Sequence, residues 1–250
     1  MTYVNIDKSK IIVYEHGKNS YFNIVDNKIL EKFFNGTEEE MKAKLDIVKP
    51  LLDIHYDGVN AFPIDTICVN EMEIGYSCNY FKESFLPLEQ EIPYDMKYNS
   101  IINTINQLQF LHKMGYVVND IRLSNYLLIP KYNTGTLIDF EDMIFEDDEI
   151  VKPSYYRFYK KGTFDMLPPS KLEDCKKQFI CNLSLLLNQD FETQVICCDE
   201  WFLFKKFAFE KELIEFMNAL FKGTEPLYFD EIITLFSEDK IEEYQKMLKR

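Results

Sequence analysis

Three oxygen-bearing side chains lie close together in one stretch of this sequence and could hold a metal ion. Asp120 and Asn125 fall in a predicted loop after a helix, and Asp139 ends the second strand of the hairpin predicted to follow. The hairpin therefore brings the three side chains to one end. Carboxylate and amide oxygens are hard ligands that suit Mg²⁺. The spacing predicts one polar site with a preference for a divalent cation.

Helical spacing of apolar residues predicts the elements on either side of this site. The recurring residues are Ile101, Ile105, Leu108 and Leu111, then Leu172, Cys175, Phe179, Leu183 and Leu186, and finally Leu213, Phe216 and Leu220. Gly115 is expected to end the first helix and Gly223 the third, whereas Pro169 precedes the second. Between the first two helices, the short apolar run 126–129 predicts the first strand of the hairpin.

The first eighty or so residues are predicted to form strands with one charged helix. The expected elements are, in order, strands 11–14, 21–25 and 28–34, a helix after Thr37, and strands 65–70 and 74–80. Thr37 with Glu40 three residues later is a capping-box pattern, which marks the start of the helix. The predicted order is thus β-β-β-α-β-β.

In this setting the polar residues resemble those of the protein kinase superfamily. The family's catalytic loop is H-R-D-x-x-x-x-N, and its metal-binding motif is D-F-G. The run from Asp120 to Asn125 keeps the Asp-to-Asn spacing, and Asp139 with Phe140 keeps the first two positions of D-F-G. The preceding segment 111–116 looks like the family's L-H-x-x-G stretch. The β-β-β-α-β-β order is also that of a kinase N-lobe.

The resemblance implies an α+β chain with a bilobal protein kinase-like fold in a single domain. Residues 1–81 would form the N-lobe, a five-stranded antiparallel sheet with one helix. Residues 82–250 would form a mainly helical C-lobe, and ATP would bind between the two lobes.

The resemblance also implies a role for each polar residue. Asp120 would be the catalytic base that orients the attacking hydroxyl and accepts its proton. Asn125 and Asp139 would hold Mg²⁺, which neutralises phosphate oxygens. Lys32 is the best match to the family's phosphate-binding lysine on strand three, with Lys28 as a weaker match.

Two further positions follow from the same resemblance. The family's lysine pairs with a carboxylate on the N-lobe helix, and here Glu39, Glu40 and Asp46 all remain candidates. Asp174, near the start of the helix after Pro169, is similar to the aspartate with which the family braces its catalytic loop.

The chain departs from the family pattern at three motifs. Gly17 is the only glycine in the first predicted hairpin, so the glycine-rich loop is missing. Val118 and Asn119 replace the histidine and arginine of H-R-D. Glu141 replaces the glycine of D-F-G, and Asp142 follows it. This last stretch also resembles small-molecule phosphotransferases such as the aminoglycoside and choline kinases.

The sequence therefore predicts an enzyme that uses ATP and Mg²⁺ to phosphorylate a Ser/Thr hydroxyl of a protein. A small-molecule phosphotransferase that acts on a different hydroxyl acceptor is the alternative within the same fold. A catalytically inactive pseudokinase that serves as a binding module is the alternative from a different class.

Composition limits the expected partners and location. The 28 Lys and Arg residues against 42 Asp and Glu residues give a net charge of −14, so no bulk positive field attracts nucleic acid or anionic lipid. A local basic site for a phosphate is compatible with this charge. The N-terminus lacks a basic segment followed by an apolar one, and no apolar run is long enough to cross a bilayer. We expect a cytoplasmic protein without nucleic-acid or membrane partners.

Overall fold

The computed structural model describes residues 2–3, 20–69, 71–146, 169–198 and 200–249, which form an α+β arrangement. The strands are β1 (Thr2–Tyr3), β2 (Ser20–Val25), β3 (Ile29–Phe34), β4 (Asp65–Val69), β5 (Met72–Asn79), β6 (Tyr116–Val117), β7 (Tyr126–Ile129), β8 (Thr134–Leu137) and β9 (Ile144–Phe145). The helices are α1 (Glu38–Val48), α2 (Tyr94–Lys113), α3 (Lys171–Leu187), α4 (Phe191–Cys198), α5 (Trp201–Lys206), α6 (Lys211–Lys222) and α7 (Glu238–Leu248). Strands thus dominate the first part and helices the rest.

The main sheet differs from the predicted five-stranded antiparallel sheet. Its order is β1-β4-β5-β3-β2, in which four strands pair antiparallel and the two-residue β1 lies parallel to β4. Parallel strands need a long connection, and the roughly sixty residues between β1 and β4 provide one. The prediction of five antiparallel strands is therefore wrong for the described residues. The predicted strand 11–14 and the turn at 17–19 lie outside them.

β3 is an inner strand of this sheet and carries Lys32. It lies between β2 and β5, where Lys32 is opposite Phe22 on one side and Tyr76 on the other. A Cβ atom on Gly75 would come within 2.0 Å of the Lys32 carbonyl oxygen, so only glycine allows the two strands to approach this closely. Lys32 is consequently held on a strand that is paired along both edges.

The predicted capping box of α1 is confirmed. The Thr37 hydroxyl accepts a hydrogen bond from the Glu40 backbone N–H at 3.3 Å, and the Glu40 carboxylate accepts one from the Thr37 N–H at 2.8 Å. Met41, Leu45 and Val48 are buried along one face of the helix, as their spacing predicted, and the helix packs against β5. One helix is thereby fixed on the sheet beside β3.

The hairpin of β7 and β8 is attached to α2 by side-chain hydrogen bonds. The Gln107 amide donates to the Thr136 hydroxyl at 2.8 Å and accepts from the Leu137 N–H at 2.9 Å. The Asn103 amide donates to the Gly135 carbonyl at 2.7 Å. These bonds satisfy buried polar groups and hold the end of the hairpin against a long helix.

α3 is the central helix of the helical part. Ser170 caps its N-terminus by accepting a hydrogen bond from the Glu173 N–H at 3.2 Å. Nearly every residue of α3 is buried, and its apolar side chains lie in the largest hydrophobic cluster. The helices predicted around Phe179 and around Phe216 are confirmed as α3 and α6. None of the helices in the described ranges combines the length and apolar character needed to cross a bilayer.

Candidate functional site

Asp120 lies in the loop formed by residues 118–125, which we call the Asp120 loop. Its side chain is almost fully buried, and its Oδ2 atom accepts hydrogen bonds from Asn125 Nδ2 at 2.9 Å and from Arg122 Nη2 at 2.5 Å. The other oxygen, Oδ1, is buried and has no hydrogen-bond partner within the described part of the chain. A buried carboxylate oxygen without a hydrogen-bond partner lowers the stability of the fold, unless a ligand or a proton binds to it.

Asn125 joins the Asp120 loop to the strand that leads to Asp139. Its Nδ2 atom donates to both the backbone oxygen and Oδ2 of Asp120, and its amide oxygen accepts no hydrogen bond from the described residues. Its backbone oxygen accepts a hydrogen bond from the Ile138 N–H at 2.9 Å, one residue before Asp139. This backbone bond places the segment that leads to Asp139 beside the Asp120 loop, whereas Asp120 and Asn125 are in direct contact.

Lys32 reaches this group from the sheet. Its ammonium lies 2.5 Å from Asp139 Oδ1 and also pairs with the Glu141 carboxylate. The Lys32 side chain is almost fully buried, whereas that of Asp139 is 42% exposed. Lys28, the weaker candidate, is exposed on the turn before β3. The structure thus brings Lys32, and not Lys28, to the site.

The expectation that this lysine pairs with a carboxylate on α1 is not met. Glu40 is engaged in the capping box, Asp46 lies 3.6 Å from Lys49, and Glu39 is exposed. Glu141, in the place of the glycine of D-F-G, supplies the second carboxylate for Lys32. The physical reason is reach, because a glutamate two residues after Asp139 extends back to the same ammonium.

The charges around Lys32 alter its pKa and that of Glu141. Burial lowers the pKa of Lys32, but the charges of Glu141 and Asp139 outweigh that effect and the pKa is raised overall. Burial also raises the pKa of Glu141, an effect that the Lys32 charge opposes. One ammonium is therefore shared by two carboxylates, and the group attracts a further cation.

Cys78 is buried near Lys32, and we expect its thiol to resist alkylation. Burial raises the pKa of the Cys78 thiol to about 12, so roughly one thiol in ten thousand is ionised at pH 8. We expect iodoacetamide at pH 8 to modify the exposed Cys198 and to leave Cys78 unmodified, because the thiolate is the nucleophile. Peptide mass spectrometry measures both, and the same treatment in urea is the control that exposes Cys78. Equal rates in the folded protein would contradict the burial.

Asp174, near the start of α3, is hydrogen-bonded to the backbone of the Asp120 loop. Its carboxylate accepts hydrogen bonds from the backbone N–H groups of Val118 at 2.5 Å and Asn119 at 2.9 Å. The His112 ring lies 3.1 Å from the same carboxylate, and its other nitrogen lies 2.8 Å from the Tyr228 hydroxyl. Asp174 is completely buried. It thus occupies the bracing position that the sequence resemblance implied.

Replacing Asp174 with alanine is expected to destabilise the fold by about 3 kcal/mol or more, because two buried N–H groups and a histidine each lose an acceptor. Urea unfolding followed by circular dichroism measures the change. Asp53→Ala is the matched control, since Asp53 is exposed and its loss should change stability by less than about 0.5 kcal/mol. Similar stabilities for the two variants would contradict the bracing role.

Three further residues that the sequence analysis did not single out make contacts at the Asp120 loop, one from within it and two from α3 and α4. Arg122 pairs with Asp120, and its side chain is 40% exposed. The Lys177 ammonium donates to the Asn119 carbonyl at 2.5 Å, and the Glu192 carboxylate accepts from the Leu123 N–H at 2.6 Å. The contact of Arg122 with Asp120 could have been predicted, because the two residues are only two positions apart. The contacts of Lys177 and Glu192 could not, because these residues lie more than fifty positions from the residues they contact.

The oxygen donors at the site fit a magnesium ion. Within the described ranges, no hydrogen bond engages the Asn125 amide oxygen or Asp120 Oδ1, and the Asp139 carboxylate is half exposed. No group of three or more His, Cys, Asp and Glu residues is arranged for a metal in the described ranges. Two protein ligands suffice for Mg²⁺, because it usually keeps several waters and takes its other ligands from substrate phosphates.

Comparison with known proteins does not extend this picture. No protein-family model matches the chain, and no curated protein sequence matches it. A functional assignment therefore depends on the geometry of the site.

Proposed function

We propose that this protein is an ATP-dependent phosphotransferase with a bilobal kinase-like fold, which transfers the γ-phosphoryl group of ATP to a Ser/Thr hydroxyl of a protein. One observation carries the proposal. Lys32 from the sheet meets Asp139 from the helical part, next to the bonded pair of Asp120 and Asn125. Phosphoryl transfer requires a phosphate-binding cation, metal ligands and a carboxylate base in one place.

The order and pairing of the elements agree with this proposal. The four antiparallel strands of the main sheet and α1 fall within residues 1–81, and six of the seven helices lie within 82–250 in the described part. We assign these ranges as N-lobe and C-lobe of one domain, with ATP between them. Lys32 would then come from one lobe and Asp120, Asn125 and Asp139 from the other.

Asn125 and Asp139 would hold Mg²⁺, and Lys32 would contact the phosphates of ATP. The bound ion would supply positive charge to the phosphate oxygens. Lys32 is shared between Asp139 and Glu141 in the present arrangement. Because a cation on Asp139 offsets its charge, Lys32 would be held less strongly there and would be freer to contact a phosphate.

Asp120 would orient the acceptor hydroxyl and take its proton. Oδ1 would accept the proton, because Oδ2 is engaged by Asn125 and Arg122 and Oδ1 has no partner in the described part of the chain. Since Oδ1 is buried, the acceptor hydroxyl would have to displace the atoms that cover it. The two hydrogen bonds to Oδ2 and the brace from Asp174 to the loop restrict movement of the carboxylate. A fixed base close to the reacting hydroxyl is the arrangement that general base catalysis needs.

The proposal is tested by following label from γ-³²P-ATP in the presence of Mg²⁺. We expect label on a Ser/Thr-rich protein such as casein, or on the chain itself, and none with Asp120→Asn. Acid hydrolysis of the labelled protein should release phosphoserine or phosphothreonine. Label that appears only on a small alcohol or amino sugar would replace the protein acceptor with a small-molecule one. No transfer to any acceptor would contradict the enzymatic proposal and favour a binding module.

A small-molecule phosphotransferase is the second candidate, and the residues after Asp139 favour it. Glu141 is turned toward Lys32, and the Asp142 carbonyl accepts a hydrogen bond from the Asn119 amide at 3.3 Å. This acidic segment resembles that of the aminoglycoside and choline kinases. An acidic site would favour a cationic acceptor, so amino sugars and choline are the first small molecules to test.

A further inference from the structure

An open pocket of about 340 Å³ lies at the connection between the sheet and the helical part. Its lining residues are Asn27, Lys28, Asn79, Tyr80, Phe81, Lys82, Ile129, Lys131 and Tyr132. They come from the turn before β3, the segment after β5 and the end of β7. Lys32, Asp120, Asn125 and Asp139 are not among its described lining residues. Its volume lies in the range of small-molecule sites.

The pocket concentrates positive charge on an acidic protein. Lys28, Lys82 and Lys131 line it, and no carboxylate is among its described lining residues. The three lysines are exposed, and the described part of the chain offers none of them an ion pair. Asp26 and Glu83 are neighbours in sequence, but both are exposed and lie outside the lining. The sign of this local charge is opposite to the net charge of −14 on the whole chain.

Aromatic rings lie beside these charges. The rings of Phe81 and Tyr132 are 6.2 Å apart in an edge-to-face arrangement, and the Lys131 ammonium lies 5.0 Å from the Tyr132 ring centre. The Tyr132 side chain is about half exposed, so part of it is accessible to a ligand. Ammonium groups bind phosphate oxygens, and aromatic faces stack on planar rings.

We propose that this pocket binds a small phosphorylated ring compound, with a nucleoside monophosphate as its simplest representative. The lysines would bind the phosphate, and Tyr132 with Phe81 would contact the ring. Asn27 and Asn79 add polar groups for the edge of the ring. A free nucleotide is favoured over a nucleic acid, because the negative charge of the whole chain opposes a polyanion more strongly than a ligand with one phosphate. The proposal stands independently of the proposed activity.

Calorimetric titration of AMP without Mg²⁺ tests the pocket. The variant K28Q/K82Q/K131Q should bind AMP at least about 10-fold more weakly than the wild type, and Tyr132→Ala at least about 5-fold more weakly. Because these side chains are exposed, the variants should fold, and circular dichroism checks this. K211Q/K240Q/K246Q changes the net charge equally at lysines on α6 and α7, so it should bind AMP as the wild type does.

K32M/E141L separates this pocket from the proposed active site, because it removes the ammonium proposed to contact phosphate there together with its buried carboxylate partner. AMP binding should be unchanged in K32M/E141L, whether or not the protein transfers phosphate. Loss of AMP binding in a folded K32M/E141L protein with none in K28Q/K82Q/K131Q would place AMP in the other site and overturn the proposal. Absence of AMP binding at millimolar concentration would also overturn it. Tighter binding of a short single-stranded oligonucleotide than of AMP would replace the small ligand with a nucleic acid.

Discussion

Replacing Asp120 with asparagine is expected to lower the rate of phosphoryl transfer about 100- to 10,000-fold. An amide has no basic oxygen to accept the proton from the acceptor hydroxyl. The asparagine oxygen still accepts the hydrogen bond from Asn125, so the loop should keep its shape. The rate is measured with γ-³²P-ATP at saturating acceptor, and we expect the loss in kcat with little change in the KM for ATP.

Two controls separate a lost base from a damaged fold. Asp53→Asn makes the same chemical change at an exposed position and should transfer phosphate like the wild type. The melting temperature of Asp120→Asn should lie close to that of the wild type. An Asp120→Asn protein that is folded and fully active would contradict the assignment of Asp120 as the base.

The second large effect concerns stability. Replacing Lys32 with methionine is expected to destabilise the protein by about 3–5 kcal/mol, because it leaves Glu141 buried without its cation. Loss of the ion pair between Lys32 and Asp139 contributes less to this destabilisation, because water can solvate the half-exposed Asp139 carboxylate. Urea unfolding at pH 7 measures the change.

A double variant isolates the cause of that loss. K32M/E141L replaces the buried pair with apolar groups and should recover much of the stability, because exchanging both partners of a buried ion pair is often nearly neutral. Lys32→Met and K32M/E141L should both transfer phosphate much more slowly than the wild type, because each lacks the proposed phosphate-binding cation. A double variant no more stable than Lys32→Met would show that Glu141 is not the unpaired charge.

The parts of the site that are close in sequence could be predicted. Asp120 and Asn125 belong to one short loop, and Asp139 follows one hairpin later, so local spacing is enough to group them. Lys32 lies 107 residues from Asp139, so its position at the site could be predicted only from the resemblance to the kinase motif order. Its two carboxylate partners could not be derived from spacing on α1, because Glu141 lies on another segment.

The limits of the fold prediction have a similar cause. Helices α1, α2, α3 and α6 follow from local periodicity and capping, which a single sequence displays. The parallel pairing of β1 with β4 depends on contacts between distant segments, and two residues carry no periodic signal. The contact of Glu192 with the Asp120 loop could not be predicted for the same reason, because it also joins distant segments.

The most direct test of the account is the thermal unfolding of the protein with increasing ATP, with and without Mg²⁺. It is best performed in the K28Q/K82Q/K131Q background, so that the pocket lined by these lysines contributes little. We expect a Mg²⁺-dependent rise in melting temperature, because a ligand at 100 times its Kd stabilises the folded state by about 2.7 kcal/mol. The rise should disappear in the same background with Asp139→Asn. No Mg²⁺-dependent shift at millimolar ATP, or an equal shift in both proteins, would contradict a magnesium–ATP site at Asp139.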